Sequence, residues 1–195
     1  MNNPLTNIVQ DWIQPSSNVI DFGCGDGSLL QELREHKQTI GYGIEIDPEG
    51  IVSCLKKNIP VIEKNIDDGI DEFSECSFDV AIMASSIQCL KEPNVALDKI
   101  LNLSDKCIVT IPNLGYWRCR LALLLGRMPV TPSLPSSWYG TENIHLCTIK
   151  DFEDLSPSKQ MVKCFAEHWW SRSAQEHERD SREAQAMPVP PKRIS

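Results

Sequence analysis

The sequence predicts an α/β fold with a doubly wound, mainly parallel sheet, and three observations predict it. Short apolar runs alternate with helical patterns through about the first 112 residues. Those runs are near-continuously apolar, as strands covered by helices on both faces must be. A glycine-rich loop, within the stretch VIDFGCGDG from Val19 to Gly27, follows the first run and opens a helix. Right-handed crossovers between such units place a ligand at the carboxyl ends of the strands, where the strand order reverses.

The elements follow in order. Ile8, Val9, Trp12 and Ile13 recur at helical spacing before Pro15, which marks a first amphipathic helix. The run NVIDFG is the first strand, and Leu29, Leu30 and Leu33 mark the helix after the loop. Ile40 to Asp47 reads as the second strand. Pro48 opens the next helix, where its missing N–H is not needed. Ile51, Val52 and Leu55 are expected to form that helix's buried face. PVIEKNID supplies a third strand, and Phe78 to Ser85 a fourth. Val95, Leu97, Ile100 and Leu101 mark a helix, and Lys106 to Pro112 a fifth strand.

Beyond Pro112 the pattern changes. LGYWRCRLALLLGR reads as a helix with Leu121, Leu124 and Leu125 on an apolar side. A long Pro- and Ser-rich segment with Trp138 and Tyr139 follows, of the kind that often serves as a functional lid. IKDFEDL begins another helix, with Asp151 as its expected cap. From about Ser156 few apolar residues and no sustained period remain. Residues 1–155 are thus expected to form one ligand-binding domain, and 156–195 an atypical tail without stable structure.

Composition narrows the function. A chain of 195 residues suits one core. The formal net charge of −8 argues against sequence-independent binding to nucleic acid. Eight cysteines occur without a C-x-x-C pair, which reads as reduced thiols in a cytoplasmic protein with no metal site. No secretory leader pattern opens the chain, and the longest apolar run, Leu121 to Gly126, is far too short to span a membrane.

The charge of the glycine loop points to its ligand. Gly23 and Gly25 match the first two glycines of the dinucleotide fingerprint, but Ser28 stands at the third. Asp21 and Asp26 would face a pyrophosphate, which is unfavourable in a low-dielectric cleft and disfavours an NAD-dependent oxidoreductase. S-adenosylmethionine (SAM) carries positive sulfonium and ammonium groups and no phosphate, so nearby acids suit it. Glu45, near the end of the second strand, lies about 20 residues on, where an acid accepts ribose hydroxyls. Asn65, ending the third strand, is placed to read the adenine amino group. Taken singly, Asp21 and Gly25 could equally serve only the turn itself.

Six segments carry a resemblance: DWIQPSSNVIDFGCGDGSLL, GIEID, SFDVAIMASSIQ, IPNLGYWRCR, GRMPVTPSLPSSWY and TENIHLCTIKDFE. From the first helix to about Leu155 the chain resembles the MetW family of methionine-biosynthesis proteins, which look like class I SAM-dependent methyltransferases with a Rossmann-like fold. The resemblance implies a cytosolic protein that works with the homoserine O-acyltransferase of methionine synthesis. Two departures stand out. Asn65 occupies a position where the family usually carries Asp, and the residues after Ser156 do not resemble the apolar segments that normally continue the family's C-terminal part. A shifted reading frame produces a tail of this kind, and the last strands of the fold are then expected to be missing.

Two functions follow. The first is a SAM-binding accessory or activating partner of the acyltransferase, with Trp117, Arg118, Arg120 and Arg127 as the contact surface. The second is methyl transfer to an unknown acceptor, with His145 as the candidate base. A solvated basic helix face and a satisfied loop histidine are the structural readings of the same residues.

Overall fold

The computed structural model describes residues 4–73, 77–131, 134, 136–141, 143–155 and 162–166. Six parallel strands form one sheet in the order β3-β2-β1-β4-β5-β6. They are β1 (Asn18–Phe22), β2 (Ile40–Glu45), β3 (Val61–Glu63), β4 (Phe78–Ala84), β5 (Ser104–Ile111) and β6 (Val162–Ala166). The helices are α1 (Pro4–Trp12), α2 (Ser28–Lys37), α3 (Pro48–Lys56), α4 (Pro93–Leu103), α5 (Trp117–Leu124) and α6 (Ile149–Leu155). The order reverses between β1 and β4, so the crevice at the ends of those two strands is the switch point.

Alternation along each strand divides the core into two layers. On one face Ile20, Ala81, Met83, Val109 and Ile111 pack with Leu97, Ile100 and Leu101 of α4 and Phe152 of α6. On the other, Val19, Val80, Ile82 and Ile108 pack with Val9 of α1, Leu30 and Leu33 of α2 and Cys54 of α3. Both faces are apolar, which is why the strands read as unbroken apolar runs.

Several expectations are corrected. The predicted sheet ends at the fifth strand, but Val162–Ala166 pairs in parallel with β5 as a sixth. The remainder of the expected tail, residues 156–161 and 167–195, lies outside the described residues. The buried face of α3 is Gly50 and Cys54, whereas Val52 and Leu55 are exposed. Close approach of the glycine loop decides this: a Cβ on Gly50 would lie 2.9 Å from the Gly25 carbonyl oxygen. The cap of α6 is Thr148 rather than Asp151. The Asp151 carboxylate accepts from the Thr148 N–H and hydroxyl, while the Asp151 N–H donates to Thr148 Oγ1, a reciprocal capping box. In α5 only Cys119 is buried, and Leu124 and Leu125 are 83% and 70% exposed, so the apolar side found in the sequence has no cover among the described residues.

Candidate functional site

The glycine loop leaves β1 at Phe22 and enters α2 at Ser28. Gly23, Gly25 and Gly27 all take left-handed backbone angles, with φ of 80°, 54° and 73°. Glycine adopts these without the steric cost another residue would meet. Gly23 has a second reason to be glycine, since a Cβ there would lie 2.7 Å from Ser86 Cβ. A Cβ on Gly25 would meet nothing within 4 Å, so the loop faces open space at that point.

Asp21 sits one residue before the end of β1 and is 1% exposed. Its Oδ1 is buried without a hydrogen-bond partner among the described residues. Burial, and then the neighbouring Glu45 charge, push its carboxyl up to about 7. A buried, unsatisfied carboxyl is a costly arrangement for folding alone. It suits a crevice that receives a positively charged group.

Glu45 is held by the loop it was expected to complement. Gly25 N–H donates to Oε2 at 2.7 Å, and the N–H groups of Ile46 and Asp47 donate to Oε1 at 2.8 and 2.9 Å. A carboxylate offers about four acceptor sites, so one remains. That site is on Oε2, so a ribose that engages both oxygens competes with the Ile46 and Asp47 N–H groups for Oε1.

Asp26 has a different role from Asp21. Its carboxylate takes Lys57 Nζ at 2.6 Å together with the hydroxyl and N–H of Ser28. The Lys57 hydrogen bond, with those from Ser28, holds it at about 2 despite partial desolvation. Its charge is neutralised within the fold, which leaves Asp21 and Glu45 as the acids of the crevice. Nothing in the sequence pairs Lys57 with a residue 31 positions earlier.

Asn65, expected to end the third strand, lies two residues beyond β3, and its Oδ1 accepts the Asp67 N–H at 3.0 Å and caps a short 3-10 turn. Its amide nitrogen and the second lone pair of Oδ1 are left to meet a base. His145 is exposed. Its N–H donates to the Gln88 carbonyl at 2.9 Å, and its Nε2 lies 3.3 Å from the Lys91 carbonyl oxygen. That is the satisfied loop arrangement. A residue the sequence reading missed is Gln88, just past β4: it is buried, and its Oε1 has no partner among the described residues. Its sequence signal is weak, a polar side chain four residues past an apolar strand.

Among the described residues, no group of three or more His, Cys, Asp or Glu side chains is placed to hold a metal ion. No helix among them is long and apolar enough to cross a membrane.

The sequence model of the family described as "Methionine biosynthesis protein MetW" matches residues 4–183. The chain belongs to this family. The MetW match thus extends beyond Leu155, where the segment resemblance ends. A relative named bifunctional methionine biosynthesis protein MetXA/MetW, from Rhodopirellula baltica, is 29% identical over 153 residues. The match covers 73% of this chain and 25% of that protein, so the chain spans about a quarter of its relative's length. A SAM-dependent methyltransferase of Thermotoga maritima is similar in structure, with a TM-score of 0.56 at 16% identity, covering 78% of this chain and 67% of that one. The plantazolicin methyltransferase BpumL, solved in complex with SAH, gives 0.53 at 19% identity, covering 71% and 53%. These likenesses establish the class I methyltransferase fold for the MetW chain, a Rossmann-like sheet shared with SAM-dependent enzymes. The protein is a methyltransferase-like member of methionine biosynthesis.

Proposed function

We propose that this MetW protein is a SAM-binding accessory subunit of the homoserine O-acyltransferase of methionine synthesis. One observation carries the partnership: the name of the Rhodopirellula relative joins MetXA to MetW in a single chain. Two proteins that are fused in one organism commonly act on one another in another. The buried Asp21, the open Gly25 and the one remaining acceptor site of Glu45 support SAM as the ligand. SAM lies downstream of methionine, so a subunit that binds it reports the output of the pathway. Such a ligand regulates only if it binds one state of the complex better than the other.

The surface proposed for the acyltransferase is α5. Trp117 is 59% exposed, and Arg118 stacks over its ring at 5.3 Å. Residues 106–141 contain no Asp or Glu, although the chain carries 27. Arg118, Arg120 and Arg127 therefore form a basic island beside exposed Leu121, Leu124 and Leu125 on an acidic protein. An apolar centre with arginines around it is the composition of an interface anchor.

The test is SAM titrated into the acyltransferase with and without this protein, following acyl transfer. Acyl transfer is expected to change with SAM only when both proteins are present. The double substitution Trp117→Ala, Arg120→Ala is expected to weaken co-purification by about tenfold or more, because aromatic and Arg anchors dominate interface energies. Unchanged binding and unchanged acyl transfer would rule out α5 as the contact. The methyltransferase fold favours a second reading, methyl transfer to an unidentified acceptor. Transfer of labelled methyl from SAM to a component of a cell extract would establish it.

A further inference from the structure

The segment between Asn143 and Thr148 crosses the carboxyl ends of β4 and β5, and it is anchored on both. On the β4 side, the N–H groups of Ile144 and His145 both donate to the Gln88 carbonyl at 2.9 Å. Cys89 Sγ reaches Asn143 Oδ1 at 3.5 Å. On the β5 side, Leu114 N–H donates to the Cys147 carbonyl at 3.0 Å, and Asn113 forms a parallel bridge with Cys147. Leu114 stands three residues before α5. The first turn into α5 is tight here: Gly115 N–H donates to Asn113 Oδ1 at 2.9 Å, and a Cβ on Gly115 would lie 3.3 Å from Thr148.

The β4 anchor in turn touches the glycine loop. Ser86 Oγ donates to the Phe22 carbonyl at 2.6 Å, and Ser86 is the residue that leaves no room for a side chain at Gly23. Two residues on, Gln88 Nε2 donates to the Ser85 carbonyl at 2.6 Å while its Oε1 is buried without a donor among the described residues. These bonds, joined by the chain itself between Ser86 and Gln88 and between His145 and Cys147, link the glycine loop to Leu114.

We propose that the strap from Asn143 to Cys147 is the element by which ligand at the glycine loop alters the α5 surface. This rests on the reading above, in which SAM occupies the loop and α5 meets the partner. A continuous path is not sufficient for coupling; an element with two arrangements is required. Gln88 supplies the reason for two. With the strap seated, its Oε1 is buried and unpaired among the described residues, an unfavourable state that an open strap relieves. Ligand that fixes Gly23 against Ser86 steadies the anchor and favours the seated arrangement. The basic, apolar start of α5 is then held in one position for the partner.

The experiment is amide hydrogen exchange on the full chain with and without saturating SAM, with SAM affinity measured separately by calorimetry. In the natural protein, SAM is expected to slow exchange at residues 114–121 as well as in the loop. Ile144→Pro removes one of the two N–H donors to Gln88. It is expected to bind SAM within about threefold of the natural affinity while slowing stays confined to the loop. Gln88→Met acts in the opposite direction: it removes the unpaired acceptor, together with the Nε2 bond to the Ser85 carbonyl, and leaves the bonds from the Ile144 and His145 N–H groups to the Gln88 carbonyl in place. By removing the unpaired acceptor it is expected to slow exchange at 114–121 by about fivefold or more even without SAM. SAM binding with no change at 114–121, propagation that survives Ile144→Pro, or natural exchange rates in Gln88→Met each overturn the strap. Absence of SAM binding overturns the ligand reading itself, and the strap with it.

Discussion

Replacing Asp21 by Asn is expected to make the ligand-free protein more stable above pH 7 while it removes most of the affinity for SAM. Both effects come from one buried carboxyl. In the unfolded chain it titrates near 3.8, and in the fold burial and Glu45 push it up to about 7. The folded protein therefore holds this proton more tightly than the unfolded chain does. For that group, stability is greatest below about pH 4, falls as pH rises toward 7, and stays low above it. The full displacement corresponds to about 4 kcal/mol as an upper bound. Asn buries an amide that also lacks partners, so a net gain of ~1–3 kcal/mol at pH 8 is expected in chemical denaturation. A ligand with positive charge needs the ionised form. SAM affinity of the natural protein should fall by up to about tenfold for each pH unit below 7, and that dependence should vanish in Asp21→Asn. Calorimetry from about pH 5.5 to about pH 8.5 reads both. A SAM affinity independent of pH in the natural protein would show that Asp21 does not serve the ligand's charge.

The parts of this molecule that were legible in the sequence are those set by local pattern. A parallel sheet buried on both faces leaves apolar runs, and Pro48 and the glycine loop mark helix starts by backbone chemistry alone. Asp21, near the end of β1, and Gly23 and Gly25 on the loop are placed by adjacency. Partnerships across the fold were not legible. The pairing of Asp26 with Lys57 removes one of two acids that had looked equivalent, and it depends on how α2 and α3 lie against one another. The exposed side of α5 was read as apolar, which is correct, but periodicity cannot say whether a neighbour covers it. Val52 and Leu55 failed for a related reason: the loop needs Gly50 and Cys54 beneath it, and that requirement outweighs the burial of larger side chains. The strand at Val162–Ala166 lies in a segment dominated by polar composition, where five residues of pairing leave little signal.

The second large effect concerns β2, whose two glycines interrupt an apolar strand where glycine is otherwise unfavourable. Gly43 is buried, and its N–H donates to the Pro60 carbonyl at 2.9 Å. A Cβ there would overlap Cys24 Sγ and lie 3.0 Å from Cys24 Cβ and 3.4 Å from Leu30. Cys24 cannot retreat freely, because its N–H donates to the Ile44 carbonyl and its sulfur lies 3.8 Å from Cys54 Sγ. Overpacking of this kind costs about 1–3 kcal/mol, so Gly43→Ala is expected to lower Tm by about 2–12 °C. Cys24 belongs to the glycine loop, so the same substitution should weaken SAM binding although Gly43 itself faces no ligand. Cys24→Ala alone removes a small buried group and should cost ~1 kcal/mol. Combined, the two should be less damaging than their sum by about 1–2 kcal/mol, since the sulfur that Gly43→Ala strikes is gone. Strict additivity would mean that the new methyl is relieved by movement of β2 instead. The glycine loop would then not depend on the strand beneath it for its position.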